Sequence, residues 1–307
     1  MTDQQTDQQR VDDLSDIDYE AWAKETIVPA HSIVHLHKEY DASRKPKGLS
    51  KEKGLEMLER LKTKLFDYQD ALYADEGRSM LIVLQGIDAA GKDGTIKHVM
   101  EGVNPEGVDV YGFKEPSKEE MSHDYLWRHE AKVPALGKIS IFNRSHYENV
   151  LVTRVHPEYL WPKTDLGFPK DIWKQRYKEI NNWEKRLNDQ GTKIVKFFLH
   201  LSREEQGRRF MARIEDKDKN WKVSPTDMVE RGYWDEYTAA FTDMLNETST
   251  DYAPWHVLPS DHKWFSHLSA LSVLIKAMED INPQYPTVDA AMLADLEKMK
   301  KELEAGK

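Results

Sequence analysis

A chain of 307 residues with 39% hydrophobic and 32% charged content has room for one large α/β domain with appendages, or two smaller domains, and reads as globular with a highly charged surface. It has no cysteine, which excludes disulfides, thiolate metal sites and cysteine nucleophiles together. The net charge of -10 argues against a general nucleic-acid binder, yet residues 1–25 carry eight acids and only two bases, so a local basic cluster for an anionic substrate remains open.

The polar, acidic start has no apolar h-region, and no apolar run approaches the roughly 20 residues of a membrane span. A cytoplasmic protein with no membrane or nucleic-acid partner is the expectation. Residues 1–15 are Gln/Asp-rich and aperiodic, which predicts a disordered acidic tail. A helical extension is expected over 16–78. Within it Leu55, Leu58, Leu61, Leu65, Tyr68 and Leu72 recur at three- and four-residue spacings, predicting an amphipathic helix over 51–75 that Gly77 stops.

The texture then changes. Apolar runs at 80–85, 108–113, 138–142, 194–201 and 255–258 alternate with helix-like stretches, the pattern of a parallel sheet covered on both faces. The last run is the weakest strand. The expected fold is α/β: one doubly wound domain over 79–285 with a sheet of about five strands, followed by helices at about 262–281 and 287–305. Trp127, Trp173, Trp183, Trp221 and Trp234 fall in helical stretches and read as core or interface residues. The twelve histidines form no HExxH pattern, so no zinc is expected.

The chemistry concentrates after the first strand. Residues 86–95 run Gly86-Ile-Asp88-Ala89-Ala90-Gly91-Lys92-Asp93-Gly94-Thr95, a Gly-x-x-x-x-Gly-Lys loop between a buried strand and a helix. Such a turn aims successive backbone N–H groups and a helix N-terminus at one point, and Lys92 adds a full charge there. That reads as a phosphate cradle, with a purely structural turn as the alternative. Asp88 within it would repel a bare phosphate by roughly 3 kcal/mol at about 5 Å. A divalent cation between the two, held by hard oxygen ligands, resolves the conflict and suits Mg2+; a helix-capping role for Asp88 is the alternative. Asp93 stands where an ordinary loop of this kind has the metal-touching hydroxyl.

The strand ending at Phe142 is followed by Asn143 and Arg144, on the side where phosphate binds in this kind of fold. Arg144 is suited to hold phosphate as a fork; a helix cap at Asn143 or Ser145 with a surface arginine is the alternative. The neutral Asn143 stands where a metal-holding Asp is usual. Residues 203–231 hold eight bases and seven acids, with Glu205, Arg209 and Arg213 on one helix face. They read as a lid over phosphates or as a solvated face. Asp124 and Arg128 are further candidates.

These residues resemble the polyphosphate kinase 2 family: the 86–95 loop, then Asp124-Tyr-Leu-Trp-Arg128, then Phe142-Asn143-Arg144-Ser145-His146-Tyr147-Glu148, with Lys196 to His200, Arg209, Arg213, Trp221-Lys222 and Thr248 to Trp255 as further markers. The likeness runs from about residue 50 to 285, and the Asn143 to Tyr147 version is most similar to the class III branch. The resemblance implies a P-loop kinase-like three-layer fold with a helical lid at about 203–231. It implies Mg2+-dependent transfer, with Mn2+ as a substitute, of the terminal phosphoryl group of inorganic polyphosphate to ADP or AMP and to guanine nucleotides. It also implies a homo-tetramer built as a dimer of dimers.

By position, Asp88 is then the metal ligand; Lys92, Asn143 and Arg144 join it as catalytic residues. Gly86, Ala89, Ala90, Gly91, Asp93, Gly94, Thr95, Asp124, Arg128, Arg209, Arg213 and Lys222 bind phosphate or nucleotide. The competing readings are an ATP-dependent nucleoside monophosphate kinase of the thymidylate kinase type and a non-catalytic nucleotide-binding regulator.

Overall fold

The computed structural model describes residues 14–15, 17–163 and 167–306. The expected disordered tail falls almost entirely outside them. The chain begins with helix α1 (Tyr19–Glu25), capped by the Asp18 carboxylate. Residues 26–28 then run antiparallel beside residues 255–257, with Val28 N–H donating to Trp255 O and Val257 N–H to Thr26 O. The extension is thus not helical throughout; its short extended piece covers a sheet edge that would otherwise present unpaired backbone.

Helix α2 (Lys51–Asp75) occupies the predicted span. Its stop differs from expectation by one residue. Glu76, not Gly77, takes the left-handed conformation (φ 51°) and returns its N–H to Leu72 O.

The sheet follows as β1 (Ser79–Gln85), helix α3 (Lys92–Val99), β2 (Val108–Gly112), β3 (Ile139–Asn143), helix α4 (Ile172–Asp189) and β4 (Thr192–His200). Then come α5 (Arg203–Glu215), α6 (Pro225–Gly232), α7 (Trp234–Thr248), β5 (Trp255–Pro259), α8 (Lys263–Ile281) and α9 (Ala290–Glu304). All neighbouring strands pair in parallel, in the order β2-β3-β1-β4-β5. The weakest of the predicted strands is therefore present, at the edge that residues 26–28 cover.

Strand side chains alternate between two cores. Ile82, Leu84, Ile141 and Phe197 face one cluster with α2 and α8 residues such as Leu61, Leu65, Leu271 and Leu274. Leu81, Val83, Phe142 and Phe198 face the other, with Ile180 and Trp183 of α4 and Phe241 and Met244 of α7. Three layers result. Burial on both faces removes the period-two signal from β1, which is buried throughout and apolar from Met80 to Leu84, and pins its register instead through both neighbours.

Because β1 and β3 are parallel neighbours, with Leu84 opposite Asn143, their C-terminal ends lie side by side. That register places the loop after Gln85 against the segment after Asn143.

Candidate active site

The loop after β1 is shaped by backbone conformations that few residues adopt. Gly86 (φ 156°) approaches the backbone of Leu199: a Cβ there would lie 3.0 Å from Leu199 O. Gly91 has φ 112°, and Ala89 stands in the left-handed region at φ 64°. Arg144 does the same on the facing segment at φ 61°. A non-glycine residue held there costs about 1–3 kcal/mol and persists only when its surroundings over-determine it.

The surroundings do so. Arg144 N–H donates to Leu84 O, and its Nη2 donates to Asp88 Oδ1 at 2.8 Å. Lys92 Nζ donates to Gly86 O at 2.5 Å. Asn143 Nδ2 donates to Asp93 Oδ1 at 2.6 Å, so the residue after the lysine is tied to the end of β3. An aspartate at 143 would set two carboxylates against each other. The acid at 93 and the amide at 143 form a matched pair.

Arg209, on the buried face of α5, has every side-chain nitrogen engaged. Nε donates to Glu205, Nη1 to Ala89 O and Ala90 O, and Nη2 to Ser260 O and Asp261 O. The loop is thereby clamped to the segment after β5. Gln206, also buried, donates to Asp88 O and accepts from Arg231 of α6. Arg208, one position before Arg209, is largely exposed, as the helical turn requires.

Behind Arg144 lies a buried polar cluster. Glu184 of α4 accepts from Tyr147 Oη at 2.7 Å and Lys196 Nζ at 2.7 Å, and its Oε1 lies 3.2 Å from His146 Nε2. Lys196 also donates to Thr248 O. Burial acts against the Glu184 charge, but Lys196 and His146 outweigh it and hold the carboxyl below its ordinary range. Burial likewise lowers His146, which stays neutral. Ser145 Oγ accepts from Gln85 Nε2. The residues next to Arg144 are thus fixed from β1, β4 and α4 at once.

Two cavities meet at this point. The first, about 740 Å³, is lined by the loop from Asp88 to Thr95 and by Asn143, Arg144, Arg213, Lys222, Lys263 and other bases. The second, about 420 Å³, is lined by Glu115, Glu148 and Glu230 with Leu151, Val152, Tyr159 and Phe241. Asp88, Arg144 and Asp227 border both. One side is basic and the other acidic and apolar.

Of the residues singled out in the sequence, the loop, Asn143, Arg144, Arg209, Arg213 and Lys222 converge here. Asp124 and Arg128 do not line either cavity. Asp124 accepts from Leu126 N–H as a local turn, and the buried Arg128 donates to Lys114 O and stacks over Phe113. They act at most through the cavity wall. Lys263, Lys219, His98 and His267 of the basic cavity were missed, as was the whole second cavity. The rule that ligands sit at strand C-termini pointed to the segment after β5 and thus to Lys263; no local pattern pointed to the others. Trp183 and Trp234 are buried, whereas Trp127 is 41% exposed and Trp221, on the 3-10 turn between α5 and α6, is 78% exposed, so the core half of their core-or-interface reading does not hold for these two.

Burial foremost, then Arg144, lowers Lys92 to about 8. Arg144 is raised, chiefly by Glu148. The site therefore combines a permanent cation, Arg144, with one, Lys92, that titrates at about 8.

A phosphate loop on a parallel sheet under a helical lid defines a P-loop kinase. Residues 48–286 match the family described as Polyphosphate kinase 2. The chain is 44% identical over 257 residues to an ADP-polyphosphate phosphotransferase of Rhodopseudomonas palustris, covering 83% of this chain and 89% of that one. It is 42% identical over 241 residues to an AMP/ADP-polyphosphate phosphotransferase of Meiothermus ruber, covering 78% and 87%. Its fold superposes on the crystal structure of polyphosphate kinase 2 from Arthrobacter aurescens TC1 with a TM-score of 0.82 and 36% identity, covering 90% and 96%. The chain belongs to the polyphosphate kinase 2 family and is a kinase that transfers phosphate from polyphosphate to nucleotides. Kinases of this family are in general divalent-metal dependent.

Two outcomes follow from the geometry. Glu184→Gln leaves Lys196 buried beside a neutral partner and costs roughly 3–5 kcal/mol of stability by denaturant unfolding; a loss below about 1 kcal/mol contradicts the role given to the cluster. Lys92 is charged below pH about 8 and neutral above it. The kcat/KM for polyphosphate therefore falls as pH rises through 8, while kcat, read with the polyanion already bound and holding the proton on, moves less. A kcat/KM flat to pH 10 would contradict this.

Proposed function

We propose that this chain carries the terminal phosphoryl group of inorganic polyphosphate to both ADP and AMP, giving ATP and ADP, with Mg2+ as its ion. The observation that carries the reading is the pair of unlike cavities sharing Asp88 and Arg144. A long polyanion without bases or sugars suits the basic cavity, where Lys92, Arg213, Lys222 and Lys263 supply charge. A nucleoside suits the other: Leu151, Val152, Tyr159 and Phe241 offer apolar surface, and Glu115 and Glu230 offer acceptors for its N–H and O–H groups. The carboxylates there also turn phosphates away, so the acceptor's phosphate end is directed toward Arg144.

Transfer then needs little chemistry from side chains. The attacking oxygen is already anionic, so no general base is required, and catalysis reduces to alignment and charge neutralisation. Lys92 and Arg144 hold the transferring group from two sides, with the backbone N–H groups of the loop beneath it. Arg209 acts as a brace that keeps Ala89 and Ala90 in place. The lid, about 203–231, excludes water when it closes over the phosphates.

Asp88 fits the ion. Its carboxylate borders both cavities, and no group of three acids or histidines that could hold a metal by itself occurs among the described residues. One carboxylate plus substrate phosphates is how Mg2+ is usually bound. Bound there, the ion, or Mn2+ in its place, would neutralise charge on the two sets of phosphates.

We further place the protein in the cytoplasm as a homo-tetramer, a dimer of dimers, with 79–285 as the phosphotransferase domain. Among the described residues no helix is long and apolar enough to cross a membrane. The family match does not favour the ATP-dependent nucleotide kinase reading.

The test is ATP formation by the full chain with polyphosphate as sole donor, run separately with ADP and with AMP. The expected result is ATP from ADP at once, and from AMP after a lag while ADP accumulates. No product from either, alongside turnover of ATP with a nucleoside monophosphate, would overturn the reading.

A further inference from the structure

The last helix is the part of the chain that no role yet explains. It follows the segment matched to the family, which ends at residue 286. Asn282 (φ 51°) ends α8, Pro283 and Pro286 keep the connector from continuing the helix, and Tyr285 Oη fastens it to Asp70 of α2. From there α9 leaves the body, and every residue from 290 to 306 is exposed. Helix α9 nonetheless begins on a proper cap, with Asp289 accepting from Met292 N–H.

Its apolar residues are not scattered. Met292, Leu296, Met299 and Leu303 are spaced four, three and four apart, with Leu293 beside them, and are between 42% and 73% exposed. That spacing is the seam of a two-stranded coiled coil, with Met292 and Met299 at d positions and Leu296 and Leu303 at a positions. The opposite side carries Glu297, Lys298, Lys301 and Glu304. A 15-residue helix is marginal in water by itself, because its stability comes from packing an apolar face. This one has such a face and, among the described residues, no element of its own chain against it.

The flanking charges select the occupant. In the register set by the seam, Asp295 and Glu302 fall at g, and Lys300 at e. In a parallel, in-register pair, the g residue of one helix meets the e residue five positions on in the other, so Asp295 faces Lys300 of the second copy twice over, by symmetry. In an antiparallel pair g faces g, and Asp295 and Glu302 would oppose each other. We propose that α9 is a self-association element that pairs in parallel with α9 of a second copy of this chain. The proposal rests on the homo-oligomer reading above and names the surface that makes one of its contacts.

The absence of cysteine from the chain makes the test direct. In a parallel pair each seam residue meets its own copy. Met299→Cys in the full-length chain, under mild oxidation, should form a disulfide-linked dimer about tenfold faster than Lys301→Cys, which faces away from the seam. Asp295→Lys should slow the Met299→Cys reaction, and adding Lys300→Asp should restore it. Light scattering on the unmodified chain separates the two ideas. A multimer whose Met299→Cys variant links no faster than Lys301→Cys overturns the helix pairing alone, as does linking only in a mixture of Met292→Cys with Leu303→Cys, the antiparallel result. A monomer overturns both.

Discussion

The contact between Asp88 and Arg144 is the joint on which the site depends. A carboxylate from the loop after β1 and a guanidinium from the segment after β3 meet at 2.8 Å, and the two cavities lie on either side of them. Backbone strain accompanies both. Ala89, next to Asp88, and Arg144 itself are both left-handed. Such conformations survive because β1 and β3 are in parallel register, which sets their ends side by side before any side chain acts. The sheet thus creates the site, and the strain is the cost of bringing a phosphate loop and a strand end into one plane of approach.

Two buried devices hold that joint. On the loop side, Arg209 satisfies the carbonyls of Ala89 and Ala90 and ties them to Ser260 and Asp261. On the strand side, Glu184, Lys196, His146 and Tyr147 form a fully enclosed cluster directly behind Arg144. A buried ion pair is poor evidence of stability, since apolar residues of the same size often do better. Its value here is geometric: it fixes the segment after β3 from a helix and a strand that otherwise have no hold on Arg144.

Local features were legible in the sequence. The loop from Gly86 to Thr95 is contiguous, so its spacing carries its function, and helix 51–75 declares itself through a heptad-like run of leucines. Features made by distant segments were not legible. The acidic cavity is assembled from residues near 87, 115, 151, 230 and 241, and no spacing rule joins them. Arg209 shows a subtler limit. Its helix face could be read, but depth could not, so a residue placed in the lid by sequence turns out to lie at the lid's root against backbone carbonyls. Glu76 is similar: a left-handed helix end suggests glycine, and Gly77 was one residue away. Asp93 and Asn143 each looked like a defect when taken alone. Together, with the Asn143 amide donating to the Asp93 carboxylate across the loop, they form one matched pair.

On the proposed function, polyphosphate and nucleotide occupy separate cavities that share Asp88 and Arg144, and the phosphoryl group passes directly between them. The most direct measurement is an initial-rate matrix of polyphosphate against ADP with the full-length protein. Both substrates must be bound together before transfer, so double-reciprocal lines should intersect. Parallel lines would mean that a phosphorylated enzyme forms and the first product leaves before the second substrate arrives, which contradicts the account.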